Sequence, residues 1–236
     1  MKTTLVTILL LSFSIFVKAQ DAFFTQANLF FSQYVANGLV AYQKIKSEPE
    51  LLNQLVDQIE NFSLVNKSDN IKKAFYINAY NILTIQQVVE RYPVKGPMQV
   101  SGFFDQITHQ VAGQKLTLDQ LEKGILFKKH PDSRMHFALV CAAKGCPSLA
   151  NFAFQPSKLD QQLDNITSKA LSNDRFVRLD PSKQRIYLSQ IFEWYHQDFI
   201  NNDKDLIGYI NQYRQEKISA DYKVKYYEYD WSLNES

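Results

Sequence analysis

Residues 66–94 read NKSDNIKKAFYINAYNILTIQQVVERYPV, and this stretch decides the fold of the chain. Ser68 or Asp69 can cap the start of a helix, because a side-chain oxygen there accepts a hydrogen bond from the first turn. Pro93 disfavours helical geometry at the residue before it, which sets the end. Since residues 74–89 are apolar nearly all round, we predict one long helix buried at the centre of the domain.

The segments on either side of this helix differ in character. Apolar residues recur at helical spacing over residues 22–64 and predict two helices. Downstream, helical patterns alternate with strand patterns, which indicates a single α+β domain with a helical N-terminal part packed on a mixed or antiparallel sheet with hairpins. The predicted downstream elements are a hairpin over 103–118, a short helix over 117–126 with Thr117 and Gln120 at capping-box spacing, a central strand over 134–141, a helix over 157–171 capped by Ser157, a second hairpin over 175–189, helices over 190–200 and 205–215, and a strand over 223–231.

Residues 1–19, MKTTLVTILLLSFSIFVKA, have the pattern of a signal peptide. Lys2 precedes an apolar run over residues 5–17, and Ala19 completes a short cleavage sequence. The run is shorter than the roughly 20 apolar residues that span a bilayer. We therefore expect export to the periplasm or the extracellular space, with no stable membrane insertion after cleavage.

The charge balance excludes one class of partner. The chain has 26 basic and 24 acidic residues, and loss of Lys2 and Lys18 with the signal peptide leaves 24 of each. Capture of nucleic acid or of an acidic membrane surface requires concentrated positive charge, which this chain lacks. Because the sequence also contains no nucleotide or cofactor motif, we predict neither a nucleic-acid partner nor a cofactor.

The only two cysteines lie in HFALVCAAKGCPSL, residues 136–149. In an oxidising compartment, Cys141 and Cys146 would often form a disulfide. Alternatively, Cys146 is a nucleophile served by His136 as base, with Glu122 orienting the imidazole. A structural reading competes with this one, because a lone histidine on an apolar segment is often only a core residue. We predict no metal site, since the C-x4-C spacing differs from that of a zinc knuckle and no fourth ligand is evident.

Six segments together resemble the DUF547 family, which is named for its lack of a known function. They are AFYINAYNILTI, YPVKG, LTLDQLEKGIL, RMHFALVCAAKGCPSL, IYLSQIFEWYHQDF and YDWSLN. The resemblance covers residues 70–234, leaves 20–69 as an N-terminal helical extension, and departs from the expected pattern at Tyr76 and Lys144. Its densest positions are Asn78, Tyr80, Asn81, Glu122, Arg134, His136, Cys141, Cys146, Trp194 and Tyr195.

Two functional hypotheses follow. In the first, Cys146, His136 and Glu122 carry out acyl transfer or amide hydrolysis on a peptide or an envelope-derived small substrate, and the architecture is reminiscent of papain-like and transglutaminase-like folds. In the second, the protein is an exported binding or scaffold domain with oxidised cysteines. The residues expected to form a pocket or binding surface are Asn78, Tyr80, Asn81, Arg134 and Cys141. We expect the aromatic residues of 192–199 to belong to the core.

Overall fold

The computed structural model describes residues 22–200 and 205–236, so the expected signal peptide at 1–19 lies outside the described part. Helices account for most of the ordered structure. The α-helices are α1 (22–34), α2 (Tyr42–Ser47), α3 (Glu50–Glu60), α4 (Asp69–Arg91), α5 (Leu159–Leu171), α6 (Ile191–Trp194), α7 (His196–Phe199) and α8 (Leu206–Tyr213). Three short 3-10 helices cover Pro97–Gln99, Ser133–Phe137 and Pro181–Lys183, and a π-helix covers Gln120–Phe127.

Within the described residues, the strands form three small sheets. Two are hairpins, β1 (Val35–Ala36) with β2 (Leu39–Val40), and β3 (Thr108–Val111) with β4 (Gln114–Thr117). The third has the order β5 (Val177–Asp180), β6 (Arg185–Ser189), β7 (Lys223–Tyr227). In this sheet β5 runs antiparallel to β6, and β7 runs parallel to it. Helices with small antiparallel and mixed sheets confirm the α+β prediction.

Helix α4 is the central element, as predicted. The Ser68 side chain accepts a hydrogen bond from the Ile71 amide, which caps the first turn. The helix ends at Arg91, and Tyr92 turns to extended geometry before Pro93. Nearly every side chain from Ala74 to Val89 is buried, because α2, α3 and the π-helix pack around α4.

The central strand predicted over residues 134–141 is wrong. A 3-10 helix, Ser133–Phe137, occupies its first half, and the chain after it is irregular. Asp132 caps this turn by accepting a hydrogen bond from the Arg134 amide. The buried backbone that follows is satisfied by a side chain instead of a neighbouring strand, since Asn81 contacts Ala138 and Val140. The apolar character of the segment reflects burial and not strand pairing.

Most other predicted elements are present with adjusted bounds. The hairpin β3–β4 turns at Ala112 and Gly113, and Thr117 and Gln120 exchange the two expected capping hydrogen bonds. Helix α5 begins at Leu159 without the expected Ser157 cap. The N-terminal segment contains α1, α2 and α3 instead of two helices, and the β1–β2 hairpin was not predicted.

The C-terminal segment, residues 228–236, folds back over the cysteine loop, residues 141–146. The Lys144 amide donates to the Ser232 carbonyl over 2.7 Å, and the Gly145 amide donates to the Asp230 carbonyl over 2.7 Å. A Cβ atom on Gly145 would lie 2.8 Å from the Tyr229 ring, so this close approach requires glycine. The C-terminal segment therefore fixes the position of the cysteine loop.

Candidate functional site

A cavity of about 370 Å³ lies beside the cysteine loop, and we call it the aromatic cavity. The π-helix, the 3-10 helix at 133–137, the cysteine loop, α6 and the C-terminal segment contribute to its wall. All three residues of the predicted catalytic set, Glu122, His136 and Cys146, line it. The other lining residues are Tyr80, Phe104, Asp119, Lys123, Leu139, Cys141, Pro147, Ile191, Trp194, Tyr195, Tyr229 and Trp231.

The two cysteines in this wall are bonded to each other as a disulfide, Cys141–Cys146. The Tyr229 hydroxyl lies 3.0 Å from each sulfur. The Cys141 amide donates to the Cys146 Sγ, also over 3.0 Å. A bonded sulfur is not a thiolate, so neither cysteine is a nucleophile in this state.

His136 is held in a fixed orientation at the cavity wall. Its ring stacks on that of Phe127, with centroids 4.2 Å apart, and lies tilted against that of Tyr195, with centroids 4.3 Å apart. Its Nε2 atom lies 2.7 Å from the Asp198 Oδ2 atom. The contact expected from Glu122 is therefore made by Asp198, which sequence reasoning missed. Asp198 lies within the family-like segment 186–199, so the resemblance offered a signal for it.

Glu122 belongs to a separate hydrogen-bonded group. The Tyr195 hydroxyl donates to Glu122 Oε1 over 3.2 Å, and Tyr80 is close enough to this carboxyl to influence its pKa. Burial raises the pKa of Glu122 above its ordinary value, although the proximity of Tyr80 and of His136 acts in the opposite direction. The cavity thus contains a carboxyl group that holds its proton more strongly than an exposed one.

Three of the residues expected in a pocket lie elsewhere. Asn78 is buried and bonds the backbone N–H and C=O of Phe154, and Asn81 does the same for Val140 and Ala138. Arg134 forms ion pairs with three aspartates on the far side of the 3-10 helix. Its partners are Asp132, Asp160 and Asp164. Tyr80 and Cys141, in contrast, line the aromatic cavity.

The aromatic residues of 192–199 divide between core and cavity. Phe192 and Phe199 are buried, as expected. Trp194 is 47% exposed and packs against Tyr229 and Trp231, with ring centroids 5.0 Å and 6.0 Å away. Tyr229 and Trp231 come from the C-terminal segment, and their place at the cavity was not predicted.

A second cavity of about 350 Å³ also borders the cysteine loop, and we call it the basic cavity. Cys146 and Pro147 line both cavities, whereas Cys141 lines only the aromatic one. The charged residues of the basic cavity are Lys144, Arg175, Arg178, Glu228 and Asp230. Arg178 stacks over the Tyr227 ring, 4.2 Å from its centroid.

Residues 64–169 match the model of the family described as "Protein of unknown function, DUF547". The resemblance to DUF547 is confirmed over this segment. No curated protein and no solved structure matches the chain. The likeness to papain-like and transglutaminase-like folds therefore stays an analogy.

The DUF547 segment supplies only part of the aromatic cavity. It contributes Glu122, His136 and both cysteines. Three of the side chains that contact these groups, Tyr195, Asp198 and Tyr229, follow the matched segment in the chain.

Within residues 22–200 and 205–236, no group of three or more His, Cys, Asp or Glu side chains is placed to hold a metal ion. In the same ranges no helix combines the length and apolar character needed to cross a membrane.

Proposed function

We propose that this protein is a binding domain whose aromatic cavity takes a small ligand, with the Cys141–Cys146 disulfide as part of the wall. The observation that carries the proposal is the bonded state of the two sulfurs at the cavity, since it removes the thiolate that a nucleophilic mechanism needs. A concave, mostly apolar site with a few polar groups is typical of small-molecule recognition.

The cavity lining indicates the chemistry of the ligand. Aromatic rings from Trp194, Tyr195 and Trp231 offer flat apolar faces. Asp119 and Glu122 offer carboxyl oxygens. A ligand with an apolar ring face and hydroxyl or amine donors satisfies both features, and envelope-derived amino sugars have this composition. We expect no nucleic-acid partner.

Tryptophan fluorescence tests the proposal directly. The chain contains two tryptophans, and both Trp194 and Trp231 line the aromatic cavity. We expect glucosamine or N-acetylglucosamine to change the emission in a saturable manner. Truncation in Trp194→Ala should weaken the affinity about three- to tenfold, because a ring contact contributes about 0.5 to 1.5 kcal/mol. Calorimetry is the readout for this variant, since the substitution removes one of the two fluorophores.

The matched control is Met98→Ala, because Met98 is 63% exposed and does not line the aromatic cavity. This variant should bind either sugar as the parent protein does. Absence of saturable binding of both sugars, or equal affinity of Trp194→Ala and parent, would contradict the proposal.

A second candidate function is acyl transfer or amide hydrolysis by the reduced protein. It is favoured by one observation, the presence of Cys146, His136 and Glu122 in one cavity wall. In this candidate the Cys146 thiolate attacks a carbonyl carbon and His136 transfers the proton. After reduction, one thiol should then react rapidly with iodoacetamide at neutral pH. Cys146→Ser should abolish that reaction and His136→Ala should slow it, while equal reactivity of the parent and His136→Ala would count against this candidate.

We also propose that the protein is exported, with residues 1–19 as its signal peptide. The charged start, the short apolar run and the small residue at the end support this assignment. A disulfide is also more often stable outside the cytosol. N-terminal sequencing of protein purified from its native compartment should give a chain beginning near Gln20, and an intact Met1 would contradict the proposal.

A further inference from the structure

The disulfide Cys141–Cys146 borders both the aromatic cavity and the basic cavity, because Cys146 lines both of them. Both cysteines line the aromatic cavity, but Cys141 is only half-buried, so it is the more accessible of the two to a group that enters this cavity. Cys146 is 7% exposed and also lines the basic cavity. The two sulfurs of one bond are therefore in different surroundings.

Hydrogen-bond donors lie close to Cys146 Sγ, where they would stabilise a thiolate. This sulfur accepts a hydrogen bond from the Cys141 amide over 3.0 Å. The Tyr229 hydroxyl lies 3.0 Å from both sulfurs, so its single proton is available to whichever sulfur becomes the anion. Hydrogen bonds to a sulfur anion stabilise it, and a stabilised thiolate is the better leaving group in disulfide exchange. The Gln190 side chain accepts a hydrogen bond from the Tyr229 amide over 2.9 Å, which fixes the chain at Tyr229.

The basic cavity adds favourable charge near the same sulfur. Three cationic side chains, Lys144, Arg175 and Arg178, line it against two acidic ones, Glu228 and Asp230. The net charge of this lining, to which Cys146 also belongs, is positive, and positively charged surroundings favour the anionic form of a thiol. The asymmetry therefore assigns Cys141 as the sulfur that is attacked and Cys146 as the sulfur that leaves.

We propose that this disulfide undergoes thiol–disulfide exchange with a low-molecular-mass thiol that enters the aromatic cavity. The thiolate of the small molecule attacks Cys141 Sγ and forms a mixed disulfide. The Cys141–Cys146 bond breaks, and its electron pair leaves on Cys146 as the thiolate. A second thiolate then attacks the sulfur of the bound small molecule, which releases the symmetric disulfide of the small thiol and leaves Cys141 as a thiolate. The chain is reduced by two electrons and two small thiols are oxidised. This activity does not depend on which ligand the aromatic cavity binds.

Reduced glutathione serves as the probe on the full-length mature protein. The oxidised protein is incubated with glutathione, quenched with acid at intervals, alkylated and mapped by peptide mass spectrometry. We expect glutathione on Cys141 and the alkyl group on Cys146. We also expect the folded protein to react at least about tenfold faster than the same chain in guanidinium chloride, because only the folded chain holds two donors close to the leaving sulfur.

Three variants test the assigned contacts. Tyr229→Phe should lower the rate of the folded protein about tenfold, the amount expected for one hydrogen bond, and leave the rate of the denatured chain unchanged. Tyr226→Phe is the matched control, because Tyr226 lies on β7 and does not line either cavity, and its rate should equal that of the parent. If Tyr229→Phe fails to fold, Lys144→Gln replaces it, with an expected loss of about two- to threefold from one exposed charge.

Two results would overturn the proposal. One is a folded protein that reacts more slowly than its denatured chain, which is the behaviour of an inert structural disulfide. The other is glutathione attached mainly to Cys146, which would reverse the assigned direction of attack.

Discussion

The Nε2 atom of His136 and the Oδ2 atom of Asp198 are 2.7 Å apart. A carboxylate only accepts hydrogen bonds, so the hydrogen in this contact belongs to the imidazole Nε2. The His136 side chain is 3% exposed, whereas that of Asp198 is 44% exposed. The pair therefore connects a buried ring in the cavity wall to a partly solvated carboxylate on α7. Because Nε2 is bonded to Asp198, Nδ1 is the ring nitrogen that could exchange a proton with a ligand.

Asp198→Ala removes the carboxylate, so the His136 ring should no longer be restricted to the Nε2–H tautomer. We expect ¹⁵N NMR of the histidine ring to show a clear Nε2–H form in the parent and a mixture in the variant. Stability should fall by about 1 to 3 kcal/mol, because a buried donor loses its partner. The control is Asp174→Ala at an exposed position, where a change within about 0.5 kcal/mol is expected. A ring spectrum unaffected by Asp198→Ala would contradict this role of the carboxylate.

Glu122→Gln should stabilise the protein at neutral pH. Burial raises the pKa of this carboxyl, so between the unfolded value near 4.5 and the raised value the folded state binds more protons than the unfolded state. The contribution of Glu122 to stability is therefore most favourable below about pH 4.5. It is lost as the pH rises through the raised pKa of the folded state. Glutamine carries no charge at either pH. The melting temperature of Glu122→Gln should therefore exceed that of the parent protein at pH 7 and equal it at pH 4.

Thermal melts of both proteins from pH 4 to pH 8 check this prediction. Glu60→Gln is the matched control, since Glu60 is exposed at the end of α3 and tests the removal of one negative charge by itself. A constant difference between parent and Glu122→Gln across this pH range would show that the buried carboxyl does not titrate as inferred.

Local sequence information was sufficient for the elements that depend on local interactions. Helix α4 could be predicted because its cap, its apolar run and the proline that follows are contiguous. The segment 134–141 could not be assigned correctly, because its backbone partner is a side chain on a distant helix. A strand and an irregular buried segment look alike when only apolar character is considered.

The candidate site could also be predicted only in part from the sequence. Glu122, His136 and the cysteines could be singled out because chemistry-bearing groups are concentrated in segments that resemble DUF547. Their actual partners could not, because Asp198 and Tyr229 reach the cavity only through the fold. Arg134 looked like a ligand-binding residue in the sequence, since two of its three aspartate partners, Asp160 and Asp164, become neighbours only after folding.

The Asn81 side chain should be essential for the irregular segment. It bonds the Ala138 carbonyl and the Val140 amide over 2.9 Å each, and it is 2% exposed. Asn81→Leu would leave both backbone groups buried without partners, at a cost of about 1 to 3 kcal/mol for each group. Urea unfolding should show this loss, while Asn70→Ala on the exposed start of α4 should change stability by less than about 0.5 kcal/mol. Near-parental stability of Asn81→Leu would mean that water or another group satisfies the segment.

Arg134 should contribute stability that lysine cannot replace. Its guanidinium makes a two-point contact with Asp132, with both nitrogen–oxygen distances at 2.9 Å. Although burial of Asp132 opposes the shift, hydrogen bonds from Arg134 and Lys73 lower its pKa. This stabilisation is present above the unfolded pKa of about 3.8 and is lost as the pH falls through the lowered value.

Arg134→Lys should therefore destabilise the protein at pH 7 by about 1 to 2 kcal/mol, because the single ammonium cannot reproduce the two-point geometry. The deficit should shrink under acid conditions and at high salt. Chemical unfolding at pH 7 and at pH 3 measures both effects. A deficit that is the same at both pH values would assign the cost to lost packing of the arginine stem and not to the ion pairs.

The Cys141–Cys146 disulfide should contribute only modestly to global stability, because the sulfurs are five residues apart. Closing so short a loop in the unfolded chain is worth about 2 kcal/mol in the chain-entropy model. In a chain of this length that corresponds to a melting point lower by about 4 to 8 °C in the presence of a reductant. The double variant Cys141→Ser/Cys146→Ser should melt at the reduced temperature and be insensitive to the reductant. A collapse of the fold on reduction would instead mean that the cysteine loop is held in place by the disulfide alone, in spite of its backbone hydrogen bonds to the C-terminal segment.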